Sequence, residues 1–365
     1  MTRRASPPLF SAVDLGDFLV APDAAERLSP MDGPGCLVLD LSSAGSTRGL
    51  GEAARQRLTT ALPILPCVSI AMIPEAEFIE PLAQTDARQQ LASICDVRVD
   101  HEPGLEALLA GFADSPLAAL CLVQRLRGGS SMSIHAGLLA ESFVYSTLQA
   151  GPEFARWQAE RKRRKKRRPA PVDRACRIDR DRHRLEIYLS RPDKHNAFSR
   201  SMRDGLCEAL QLALADPSLS EVVLRGEGPS FCSGGDLDEF GSLPDPAQAH
   251  AIRSTRSPAL LISQLAGRIR SEVHGACIGA GAELPAFTDR VVADQDAYFA
   301  LPEIGLGLIP GAGGTVSLPR RIGRQRTAWL GLSGARIDAQ TALDWGLIDE
   351  VRIGSNRSVQ APSVG

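Results

Sequence analysis

Short apolar runs alternate with longer amphipathic stretches along most of this chain. In the second half the alternation predicts a strand at 185–190, a helix at 199–215 and a strand at 221–225. A helix follows at about 258–267, then a strand at 270–274, a helix opening near 280 and a strand at 290–294. Strands rich in β-branched residues that alternate with segments of helical spacing are the mark of an α/β fold. Upstream, CLVLDL (36–41), VSIAMI (68–73) and DVRVD (96–100) predict three more strands, while 104–126 and 134–160 space Leu, Phe and Trp as helices do. Between the halves, RKRRKKRR (161–168) runs into Pro169, Ala170 and Pro171 and interrupts every periodic pattern. Charged, Pro-containing stretches read as solvated linkers. The expected organisation is a first domain over 1–160, a linker over 161–171, a second domain over 172–352 and a flexible tail over 353–365.

Composition narrows the function classes. With 365 residues, 44% hydrophobic and 23% charged, the chain reads as an ordinary globular protein of two or three domains of ~150 residues. Its eight cysteines contain no C-x-x-C pair and its six histidines no H-x-x-x-H spacing, so neither a disulfide scaffold nor a metal site is expected. A reducing, cytoplasmic compartment is the expectation. The net charge of −2 hides a split, because the basic run holds 8 of the 41 basic residues and leaves 33 against 43 acidic ones elsewhere. An acidic body, and a run without interleaved aromatics, argue against nucleic-acid binding and for a tether or docking segment. No apolar stretch reaches the ~18 residues of a membrane span, and Asp14 falls where a signal peptide keeps its apolar core.

Three glycine-rich segments carry chemistry. PSFCSGGDL (229–237) follows a strand, and Gly234 and Gly235 let backbone amides approach a ligand. Taken alone it also fits a turn whose Asp236 and Glu239 form a capping box that starts a helix. In VHGACIGAGAEL (273–284) the spacing predicts a helix opening near Gly279, with Ala280 and Glu283 on one side of its first turn. Glu283 alone also fits a residue that merely complements the helix dipole. In FALPEIGLGLIPGAGGTVSLPRRIG (299–323), Glu303 is the only acid of an apolar run, where burial would raise its pKa and suit it to donate a proton; a solvent-facing strand end is the alternative. Two carboxylates and two amide-rich turns within one stretch form the acid/base pair and oxyanion hole of enolate chemistry.

These segments resemble the crotonase, or enoyl-CoA hydratase/isomerase, superfamily. RPDKHNAFS (191–199) is similar to its opening motif, FCSGGDL and GACIGAGAEL to its two oxyanion turns, and LPEIGLGLIPGAGGT to its third signature, over about residues 180–352. The resemblance implies a crotonase-like spiral of ββα repeats. It places the oxyanion-hole amides on Gly235 and Ala280 and the acid/base pair on Glu283 and Glu303. It also implies substrate contacts at Lys194, Ser233, Gly234, Asp236, Leu237, Gly279, Pro310 and Gly311. The implied reaction is hydration of a 2-enoyl-CoA thioester, with CoA entering as part of the substrate and no cofactor or metal. Isomerisation, cofactor-free oxygenation and a non-catalytic acyl-CoA-binding subunit are the alternatives. The implied partners are the acyl-CoA thioester and further copies of the chain, as a trimer or hexamer.

Two departures from the family pattern alter the expectations. Ala280 replaces the middle glycine of G-G-G and adds a methyl beside the substrate, and only 14 residues follow Gly346–Val351 where the family has about 60 residues of helices. The helices expected at 104–160 are therefore predicted to cover the core, with Phe112, Leu122, Tyr145, Phe154 and Trp157 among the buried contacts. Residues 1–160 as a whole read as a degenerate, largely helical crotonase-like domain without a site of its own, or as an unrelated helical domain.

Overall fold

The computed structural model describes residues 7–75, 86–129, 131–162, 175–242 and 245–353. Residues 163–168 of the basic run, the rest of the expected linker, and the expected tail from 354 onward lie outside these. The chain divides into two compact units that do not follow chain order. One comprises Met1–Pro169, Phe240–Thr255 and Ala300–Ala335, and the other Ala170–Glu239, Arg256–Phe299 and Arg336–Gly365.

The first unit is built on a parallel sheet in the order β1 (Leu9–Phe10), β2 (Cys36–Asp40), β3 (Val68–Met72) and β4 (Val97–Val99). Strands β2, β3 and β4 are buried along nearly their whole length because both faces are covered. Leu37, Leu39 and Ala71 point into one core with Leu15, Leu58 and Leu91 from the helices Ala12–Phe18, Glu52–Ala61 and Ala87–Ile94, and with Leu62 from the 3-10 turn Leu62–Ile64. Cys36, Val38 and Ile70 point into a second core with Phe112, Leu122, Leu148 and Phe154. That second core also contains Ile304, Leu308, Ile309, Ala328 and Leu332 from the 300–335 segment. The helices upstream of the basic run thus pack on this segment as expected, with Phe112, Leu122 and Phe154 buried and Tyr145 and Trp157 partly so.

Two long helices expected here are each broken in two. Residues 104–126 become Glu102–Phe112 and Pro116–Arg127, and residues 134–160 become Ile134–Gln149 and Pro152–Lys162. Pro116 and Pro152 lack an amide hydrogen and each stands at the first position of the second helix. Glu153 then accepts from the amides of Leu117 and Ala118 at 2.9 Å each, capping Pro116–Arg127.

Polar ties hold the helix Gly314–Ser333 to the sheet. The Arg324 guanidinium donates to the carbonyls of Ser93, Ile94 and Cys95 at 3.0 Å each, and the Gln325 amide to Ala92 and Cys95 at 2.8 Å. These are the last carbonyls of the helix Ala87–Ile94, which have no partner within it. Arg324 also reaches Asp96 at 3.2 Å. At Gly111 the helices touch through backbone: a Cβ there would lie 2.3 Å from the carbonyl oxygen of Leu332.

The second unit carries a six-stranded sheet in the order β13 (Glu350–Arg352), β10 (Arg290–Asp294), β8 (Ile269–Val273), β7 (Glu221–Gly226), β6 (Arg184–Leu189) and β5 (Cys176–Asp181). Only the β5–β6 hairpin is antiparallel. Alternation along β6 buries Leu185, Ile187 and Leu189. The opposite face carries an ion-pair ladder across the strands, including Arg225–Glu272 at 2.8 Å and Arg270–Glu221 at 2.9 Å. Helices Arg200–Ala215 and Pro258–Gln264 and a small sheet of β9 (Ala276–Ile278), β11 (Tyr298–Ala300) and β12 (Ile337–Asp338) complete it. The helix expected from 280 spans only Ala280–Glu283, because Pro285 ends it and a 3-10 turn follows. None of the eight cysteines forms a disulfide. Among the described residues no single helix is long and apolar enough to cross a membrane.

Candidate active site

In the second unit three of the sequence motifs converge by backbone pairing. In RPDKHNAFS, His195 and Asn196 take left-handed φ of 50° and 54°. The Asn196 side chain holds that turn by accepting from the Arg191 amide at 2.7 Å and donating to the carbonyls of Glu227 and Ser230 at 2.8 Å. The turn then pairs with PSFCSGGDL: Phe198 donates to Gly234 at 2.8 Å and Asp236 donates back to Phe198 at 3.0 Å. PSFCSGGDL pairs in turn with the next segment, Cys232 donating to Ala276 and Ile278 donating to Cys232, both at 3.0 Å. A Cβ at Gly281 would lie 2.3 Å from the Cys232 carbonyl oxygen, so the approach of these two turns requires glycine there.

Among the described residues the backbone N–H groups of Gly235 and Ala280 donate to no protein acceptor. Gly279 sets the second amide: its φ of 51° and ψ of −118° turn the chain just before Ala280, a conformation disfavoured for residues with a Cβ. Its carbonyl accepts from Ala282 at 2.7 Å and Glu283 at 2.8 Å, which fixes the short helical turn. Glu283 itself is buried, at 2% exposure. Gly235, Ala280 and the glutamate one turn on thus lie on two turns that pair with each other through backbone.

The remaining residues of this unit are placed as follows. Asp236 is buried and ion-paired with the buried Arg191 at 3.0 Å, and its other oxygen accepts from the Asp238 amide. Lys194 pairs with Asp238 at 2.8 Å and keeps about a third of its side chain exposed. Ser233 donates its amide to the His195 carbonyl, and the side chain of Leu237 is exposed. The helix that the alternative reading of Asp236 and Glu239 as a capping box would start does not form. Glu239 accepts instead from the Arg200 amide at 2.7 Å, heading the helix Arg200–Ala215, and 236–241 stay in turns.

Glu303 lies in the first unit, on the 3-10 turn Glu303–Leu306, and is buried rather than at a solvent-facing strand end. Its Oε2 is buried without a hydrogen-bond partner. Desolvation raises the carboxyl to about 7, with the nearby Glu141 carboxylate adding in the same direction. A carboxyl in that range exchanges a proton readily at neutral pH. Beyond it the chain turns through buried Pro310 and through Gly311, whose backbone lies under the Tyr145 ring so closely that a Cβ would come within 2.4 Å of it.

The family model for enoyl-CoA hydratase/isomerase matches residues 183–357. The chain is 35% identical over 175 residues to 2,3-dehydroadipyl-CoA hydratase of Escherichia coli, covering 48% of this chain and 68% of that protein. The chain belongs to the crotonase family. Other members it matches are 1,2-epoxyphenylacetyl-CoA isomerase of E. coli, 33% identical over 46% of this chain and 65% of that one, and the mitochondrial enoyl-CoA hydratase of Pongo abelii, 34% identical over 45% and 56%. Against the crystal structure of an enoyl-CoA hydratase from Mycobacterium smegmatis the TM-score is 0.46 at 33% identity, covering 50% of this chain and 71% of that one. The chain spans about two thirds or less of the length of these curated relatives. Their names include both a hydratase and an isomerase, so membership fixes the family of chemistry and leaves the reaction open.

Glu141, like Asp96, Glu153 and Glu272, is a buried acid outside the sequence motifs. Glu141 sits on Ile134–Gln149, where a single Glu in an amphipathic stretch reads as a solvent-facing position. The only local signal is that Gly137 and Leu148, also buried, share its helical face.

Proposed function

We propose that the chain is an enoyl-CoA hydratase, adding water across the α,β double bond of a 2-enoyl-CoA thioester. Glutamates stand at both acid/base positions of the family pattern, Glu283 and Glu303, and this pattern is what assigns them to one reaction. Glu283 takes a proton from water as the hydroxyl adds to the β-carbon. The amides of Gly235 and Ala280 hold the negative charge that moves onto the thioester oxygen, and Glu303 delivers a proton to the α-carbon. Exchange of one proton with solvent at each carboxyl restores the starting state. The reaction calls for no group beyond these and the thioester. The observation that carries the reading is the buried, unpartnered Oε2 of Glu303, in a carboxyl raised to about 7. A desolvated acid of this kind is suited to donating to carbon. Assembly as a trimer or hexamer belongs to the same reading.

The test is incubation with crotonyl-CoA and a panel of longer and aryl 2-enoyl-CoAs, following enone absorbance and product mass. The expected result is loss of absorbance with a mass gain of one water. A product of unchanged mass with a shifted double bond would make the chain an isomerase. Oxygen consumption would make it an oxygenase, and binding without turnover a non-catalytic acyl-CoA-binding subunit.

A further inference from the structure

The Glu141 carboxylate is 2% exposed and accepts three hydrogen bonds, from the amide of Gly313 at 2.7 Å, the amide of Thr315 at 2.8 Å and the Thr315 hydroxyl at 2.7 Å. These donors head the helix Gly314–Ser333 and end the loop that leads out of the Glu303 turn. The fit around them is close. One turn before Glu141, a Cβ on Gly137 would lie 3.0 Å from Val316 Cγ2, and one turn after it Tyr145 covers Gly311. A side chain from the first half of the chain therefore anchors the loop that carries Glu303.

The two acids differ in what surrounds them. Burial holds both carboxyls above the usual carboxylate range, but for Glu141 it is opposed by the Thr315 and Gly313 donors and by the buried Arg125 guanidinium, whereas for Glu303 it is opposed only by that residue's own backbone amide. Glu303 has an oxygen with no partner and a neighbouring negative charge. When two nearby carboxyls sit in environments that push them apart, one holds the charge and the other the proton. The other charged groups on elements packed against the Glu303 turn are committed or outward. Glu153 is spent on the Leu117 and Ala118 amides, Glu102 and Glu106 are exposed, Arg320 bonds the Val316 and Met132 carbonyls, and Arg324 bonds Asp96 and the carbonyls before it.

We propose that Glu141 is a positioning residue for Glu303: bonded to Gly313 and Thr315, it fixes the loop carrying Glu303 and, by holding the negative charge of the pair, keeps Glu303 in its proton-donating form. This rests on Glu303 being the acid of the reaction, and the experiment separates the two ideas. Glu303 is followed directly by carboxyl NMR of protein labelled in glutamate, its resonance assigned by loss in Glu303→Gln and that of Glu141 by loss in Glu141→Asp. The kcat–pH profile on the substrate panel is measured in parallel. Glu141→Gln removes the charge, so Glu303 should ionise more readily, and its titration and the basic limb of kcat should both move to lower pH by about half a unit or more. Glu141→Asp keeps the charge on a shorter side chain, so the limb should stay in place while kcat falls. An unmoved Glu303 titration in Glu141→Gln would overturn the inference, as would a protonated Glu141 in the wild-type protein at about pH 6, a reading that does not need the Gln variant to fold. Wild-type protein that hydrates no substrate yet shows the titration shift would refute the proposed reaction and leave the role of Glu141 intact.

Discussion

Replacing Asp96 with Asn tests whether the helix Gly314–Ser333 and the first half of the chain form one cooperative structure. Asp96 is 1% exposed and gathers five donors: the Ser69 amide at 2.9 Å and hydroxyl at 2.8 Å, Arg127 through Nε at 2.8 Å and Nη2 at 2.6 Å, and Arg324 at 3.2 Å. Asn is nearly the same size but loses the charge and points an NH2 group at one set of these donors, whichever way the amide is turned. Removing one partner of a buried ion pair typically costs about 3–5 kcal/mol, since the remaining charge stays desolvated. Arg127 and Arg324 side chains are 10% and 25% exposed and both keep carbonyl partners, which places the expected loss near the lower end, about 3 kcal/mol. For a unit of this size that corresponds to a fall in Tm of roughly 6–12 °C. The assay is denaturant and thermal unfolding of wild type, Asp96→Asn, Arg324→Met and the double variant. If the ties act together, the double variant should lose less than the sum of the singles by about 1 kcal/mol or more. A loss below about 1 kcal/mol in Asp96→Asn, or additivity within about 0.5 kcal/mol, would refute the argument.

Glu283→Gln and Glu303→Gln should each lower turnover of the reactive enoyl-CoA by ~10²-fold or more with binding largely kept, their effects falling short of additive because both serve one transition state; full turnover in either removes that residue from the mechanism. Gly235→Pro deletes one of the two unspent amides and should lower kcat by ~10²- to 10³-fold in protein that still melts cooperatively; an active, folded variant would assign the oxyanion donor elsewhere. Residues 170–353 expressed alone leave Ile304, Leu308, Ile309 and Leu332 without the partners that now keep them at 0–1% exposure. At ~1.5–3 kcal/mol per side chain this approaches the whole stability of a domain, so that fragment should be insoluble or inactive, and soluble, active fragment would show the first half to be dispensable.

What was legible in the sequence follows from what local pattern can encode. The strands CLVLDL, VSIAMI and DVRVD lie where their short apolar runs put them, because a strand buried on both faces must be such a run whatever covers it, and those from 185 to 294 lie where the alternation of a sheet with one buried face puts them. Helix ends were less legible. Pro116 and Pro152 sit inside stretches with continuous helical spacing, so the apolar period alone hides the breaks that the missing amides impose. The capping box at Asp236 failed for a different reason: Glu239 had a competing set of donors, the head of the helix starting at Arg200, which lies distant in sequence. The same limitation hides the partnership of 300–335 with the first half. Arg324 spends its donors on carbonyls some 230 positions earlier, and Glu141 spends its acceptors on amides over 170 positions later. Hydrophobic periodicity reports that a face is withdrawn from water without reporting what withdraws it. The glycines come nearer to doing so, since Gly111 against Leu332, Gly137 against Val316 and Gly331 against Leu122 mark places where a Cβ would collide with a neighbour. Each of these contacts joins the first half of the chain to the helix that follows Glu303. Small residues on otherwise large-sided helices therefore record the docking of the two segments, and a single Gly111→Leu change should separate them more surely than the loss of any one hydrogen bond.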